Sequence, residues 1–92
     1  MQRITRKHLD AKIAYLNDLT GSPATYWSQD DERVTAIDHY HLDGAYGGWS
    51  LHRTMNHSGG VRDVFQCGHV SPRELAALIS AYIRGYRAAK GE

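Results

Sequence analysis

The stretch Y-H-L-D-G-A-Y-G-G-W-S-L-H-R, residues 40–53, decides how this chain is read. Apolar and polar residues alternate on both sides of Tyr46-Gly47-Gly48, which is the pattern of two half-buried strands joined by a glycine turn. With the turn at Tyr46-Gly47, Tyr40 opposes Arg53, His41 opposes His52, Leu42 opposes Leu51 and Asp43 opposes Ser50. Moving the turn to Gly47-Gly48 changes the partners but not the faces. One face then carries Tyr40, Leu42, Trp49, Leu51 and Met55. The other carries His39, His41, Asp43, Ser50, His52 and Thr54. Gly44 leaves room where the Trp49 indole crosses, and Gly47 permits a tight reversal.

Working outward, a second glycine turn at His57-Ser58-Gly59-Gly60 leads to a third strand. The spacing predicts strands over about 38–45, 48–56 and 61–67. If Met55 opposes Val61, then Phe65 and Cys67 join the Tyr40 face and Arg53 meets Asp63 at its edge. Upstream, Leu9, Ile13 and Leu16 form one stripe of a helix over about 6–19, with Thr5 as its N-cap and Gly21 and Pro23 ending it. Residues 22–32 read as a polar loop in which Asp30-Asp31-Glu32 is a solvated turn. Trp27 is placed at the edge of the sheet–helix core, and Val34–Ile37 reads as a short strand or an extended lead-in. Downstream, Ser71-Pro72-Arg73-Glu74 opens a helix over about 72–88 with an S-x-x-E capping pattern and proline at the first helical position. Leu75, Leu78, Ile79, Tyr82, Ile83 and Tyr86 make its apolar stripe. The expected fold is α+β: one α-β-β-β-α domain, residues 1–92, with a three-stranded antiparallel meander and both helices on one face. The histidine face is left to water or a partner.

Composition narrows the function. A net charge of +1 is weak for a protein that lives by phosphate contacts. No apolar run approaches the roughly 18 residues of a membrane span, and the basic start leads into a helix pattern rather than a signal peptide. A lone Cys67 forms no internal disulfide, so a reducing, cytoplasmic setting is the default. His39, His41 and His52 with Asp43 are candidate metal ligands, since imidazole nitrogen and carboxylate suit a divalent ion. An H-x-H pair supplies only two ligands, however, and the plainer reading is exposed polar histidines. Cys67 and His69 offer further donors, but the register turns Cys67 toward the core, where a lone cysteine is an ordinary filler. Asp43, Ser50 and His52 contain the residue types of a hydrolytic triad without an activated nucleophile, because Ser50 and His52 are two apart on one strand. Neither catalytic residues nor a cofactor are expected. The glycine pairs precede no helix and no G-K-[ST], so they are not a phosphate loop.

Two resemblances bear on function. The order of elements is that of the double-stranded-RNA-binding domain, which implies a nucleic-acid-binding alternative. That family's lysine cluster at the start of the last helix is replaced here by Ser71-Pro72-Arg73-Glu74-Leu75. The segments Leu42–Leu51, Gly59-Gly60-Val61 with Asp63, and Arg73-Glu74-Leu75 resemble a set of small bacteriophage and prophage proteins sharing an A-Y-G-G-[aromatic]-x-L hairpin. This resemblance implies an accessory protein of the host cytoplasm that binds a host or phage protein, such as a host-defence inhibitor or regulator. Candidate contact residues are His41, Asp43, Tyr46, His52 and His57. A homodimer through an exposed edge strand is a further expectation.

Overall fold

The computed structural model describes residues 3–91. It consists of α1 (Arg6–Thr20), β1 (Tyr40–Ala45), β2 (Gly48–Thr54), β3 (Val61–Asp63) and α2 (Pro72–Ala89), an α-β-β-β-α order. The sheet is antiparallel with strand order β1-β2-β3. The first hairpin has the register that a Tyr46-Gly47 turn dictates, with Leu42 opposite Leu51 and Asp43 opposite Ser50. Tyr46 (φ 53°) and Gly47 (φ 75°) both take left-handed backbone, the two-residue reversal that matches strand twist. A Cβ built on Gly44 would sit 2.6 Å from Trp49 Cζ3, so the glycine there is required by the indole.

The inner face meets both helices. Leu9, Ile13 and Leu16 of α1, Leu75, Ala76, Ile79 and Ile83 of α2, and Tyr40 and Leu51 of the sheet form one buried cluster. Leu42, Trp49, Phe65 and Val70 pack against it, whereas Met55 lies exposed beyond the end of β2. α1 lies on β1 and α2 on β2, and the helices touch each other. Thr5 Oγ1 accepts from the His8 amide at the start of α1, and Ser71 Oγ accepts from the Glu74 amide at the start of α2.

The strands are shorter than alternation predicts. β1 starts at Tyr40 because Asp38 takes positive φ (74°), although its amide still reaches Thr54 O at 2.8 Å. β2 stops at Thr54 because Asn56 joins the next turn, its Oδ1 accepting from the Ser58 and Gly60 amides. Thr54 therefore opposes Val61, not Met55, and β3 is shifted by one residue. A one-residue shift exchanges faces. Val61 and Asp63 consequently lie on the histidine face, opposite Thr54 and His52. Arg53, freed from Asp63, pairs with Asp38 at 2.9 Å.

β3 ends after three residues rather than running to residue 67. The Asp63 carboxylate accepts from the Gln66 and Gly68 amides at 3.1 and 3.0 Å, a side-chain-to-backbone competition that turns the chain out of the ladder. Pairing resumes at Val70, which exchanges hydrogen bonds with Trp49 at 2.8 and 2.9 Å. The excursion leaves Cys67 exposed instead of in the core.

The second face is not left to water. Residues 22–38 fold back across part of it, closed on themselves by Ala36 N–H to Tyr26 O (2.8 Å) and Ser28 N–H to Val34 O (2.9 Å) and tied to β2 and its following loop by Asp38 N–H to Thr54 O (2.8 Å) and Thr35 N–H to His57 O (3.2 Å). Thr35, His39 and Thr54 are buried in this region. Trp27 belongs to this cover, edge-on to Tyr26 at 5.0 Å and about half exposed, and not to the helix side. No helix among the described residues is long and apolar enough to cross a membrane.

Candidate functional site

The histidine face divides into two regions along β1 and β2. In the region under the 22–38 cover, the Tyr26 ring meets His41 edge-on at 5.3 Å, and His39 and His41 stack at 5.7 Å. His39 Nδ1 lies 2.8 Å from Pro23 O. Burial, then the neighbouring His39 and His52, lower the pKa of His41, which favours the neutral ring. Its Nδ1 is buried without a hydrogen-bond partner among the described residues. His39 and His41 are thus engaged in packing.

Nearer the Tyr46 turn, three side chains from separate segments converge. Asp43 comes from β1, His52 from β2 and His69 from the residue before the Val70–Trp49 bridge. His69 Nε2 lies 2.7 Å from Asp43 Oδ2, and His52 Nε2 lies 4.0 Å from the same oxygen. One ligand-type atom from each of the three falls within 4.8 Å of the others. The hydrogen bond from His69 is the main reason the Asp43 carboxyl is held below its usual range. The two histidine side chains are mostly covered (17% and 19% exposed), while Asp43 keeps 43% of its surface in contact with solvent. Above them Tyr46 is 98% exposed, its ring 5.9 Å from that of His69.

Of the four candidate ligands expected from alternation, the structure brings Asp43 and His52 together and sends His39 and His41 elsewhere. It adds His69, a further donor in the sequence that was set aside together with the core-facing Cys67. The signal lay in Asp63 within the expected strand and Gly68 just past its end, two residue types that favour turns. Among the candidate contact residues, His57 stands apart in the loop after β2, its Nδ1 3.0 Å from Thr35 O. The seven residues of β2 place that loop about 20 Å from Tyr46. Ser50 is buried, and its Oγ has no hydrogen-bond partner among the described residues. Cys67 donates to Gly68 O at 3.6 Å, and residual burial raises its pKa. Compared with protein-family models, curated proteins and solved structures, the chain matches none.

Proposed function

We propose that this is a non-enzymatic accessory protein of phage or prophage type, working in the host cytoplasm by binding a host or phage protein with Tyr46 as its anchor. The observation that carries the reading is the placement of Tyr46. A large aromatic side chain stands almost wholly in solvent at the tip of a hairpin, on left-handed backbone that most residues avoid. Tyrosine loses little rotamer freedom on contact and buries much area, which is why it is frequent at binding hot spots. The A-Y-G-G-W-S-L residues behind the phage resemblance build this hairpin, and the inner core holds its base rigid. The burial of Ser50 supports a role without hydrolytic chemistry.

The test is affinity capture from host lysate with the wild-type chain and Tyr46→Ala in parallel. The substitution removes only exposed surface, so the melting temperature should hold while a discrete partner is lost. Equal capture by both chains would refute the anchor. Binding to double-stranded RNA that weakens steeply with salt, in both chains alike, would replace this reading with the nucleic-acid alternative. A second copy recovered through the same tip would identify the partner as the homodimer.

A further inference from the structure

We propose that Asp43, His52 and His69 form a binding site for a divalent transition-metal ion, with Zn²⁺ as the preferred occupant. Two imidazole nitrogens and one carboxylate oxygen are a ligand set that zinc accepts at bond lengths of about 2.0–2.2 Å. A tetrahedral centre with such bonds needs ligand atoms about 3.3 Å apart. The observed separations of 2.7 Å (His69 to Asp43) and 4.0 Å (His52 to Asp43) lie on either side of that value. With all three ligand atoms within 4.8 Å of one another, side-chain movements of about 1.5 Å or less would close the site on the existing backbone.

The backbone is fixed for separate reasons at each ligand. Asp43 and His52 sit in the paired ladder of β1 and β2. His69 is held by the two-way Trp49–Val70 bridge on one side and by the Asp63-capped excursion on the other. The partial exposure of Asp43 provides an entry path and leaves a coordination position to water or an incoming ligand. On binding, the ion takes the place of the proton between His69 Nε2 and Asp43 Oδ2, and that proton leaves to solvent or to Nδ1, so that a neutral imidazole ligates through Nε2. His39 and His41 are excluded by their packing under Tyr26, and Cys67 by its position in the excursion. The site does not depend on the Tyr46 anchor, since it is built from other side chains.

The test uses the full, untagged chain stripped with chelator. Titration with Co²⁺ should develop visible ligand-field bands at one equivalent, and Zn²⁺ should displace them. Asp43→Asn, His52→Ala and His69→Ala should each weaken binding at least about tenfold. His57→Ala and His8→Ala should leave it unchanged. Because His69→Ala also removes the bond to Asp43, a readout on the wild-type chain is added: Zn²⁺ should shift the imidazole NMR signals of His52 and His69 but not that of His57. Absence of one-to-one binding, or binding that survives His69→Ala, would overturn the proposal. So would Zn²⁺ shifts confined to other histidines. The Asp43–His69 bond would then be only a latch for residues 64–69.

Discussion

Replacing Asn17 with leucine tests how α1 is joined to the sheet. Asn17 is 4% exposed on the buried side of α1, beside Leu9, Ile13 and Leu16. Its Nδ2 donates to Tyr40 O at 3.0 Å, and its Oδ1 accepts from Tyr40 N–H at 2.9 Å. In an antiparallel ladder, alternate residues of an edge strand point both backbone groups away from their neighbour. Tyr40 is such a residue, and the Asn17 amide meets it as a further strand would. Leucine fills similar space but leaves a buried donor and acceptor unpaired, each costing about 1–3 kcal/mol. The expected loss is about 2–6 kcal/mol, a large share of the roughly 5–15 kcal/mol that stabilises a small domain. Urea unfolding followed by circular dichroism should show a lower midpoint with an unchanged slope. Asn17→Asp should also destabilise, because a carboxylate accepts from the amide but repels the Tyr40 carbonyl. A loss below about 1 kcal/mol for the leucine variant would refute the reasoning.

Gly44→Ala should cost about 1–3 kcal/mol by driving Trp49 off its position, seen as a shift in Trp49 emission in a Trp27→Phe background. Tyr40 is buried against Tyr82, their hydroxyls 3.0 Å apart, and burial first and that contact second push its pKa up to about 12. A folded-state value raised above 10.0 means the stabilisation is complete below pH 10 and is lost as pH climbs from 10 to 12. The loss should reach about 2 kcal/mol and be absent in Tyr40→Phe, as read from unfolding midpoints across that range. Cys67 should react with a thiol reagent in the native state, because it is exposed, but more slowly than free cysteine at neutral pH, because its pKa is raised. A native-state rate matching free cysteine would contradict that assignment.

The helices and first hairpin were legible because their signals are local and agree with one another. Caps, a 3.6-residue stripe and a glycine reversal each specify one geometry. The third strand was not legible beyond Asp63, because alternation continues through Phe65 and Cys67 while the Asp63 carboxylate takes the backbone amides that would extend the ladder. The one-residue shift at Thr54–Val61 came from Asn56, which reads as a strand residue until its side chain is seen bonding the turn. The cover over the second face was hidden because residues 22–38 carry no period, and a segment held by scattered backbone bonds leaves none. Asp43 and His52 follow from parity. His69 needed the irregular excursion, and Asn17 gave no signal in the sequence because its partner Tyr40 lies 23 residues away.

The Tyr46 tip is the surface proposed to meet a partner. Photo-crosslinking with p-benzoylphenylalanine at position 46, and separately at exposed position 84 on α2, tests this most directly. A discrete adduct with one other protein is expected from position 46 and none from position 84. Equal adducts from both positions, or an adduct from position 84 alone, would contradict it.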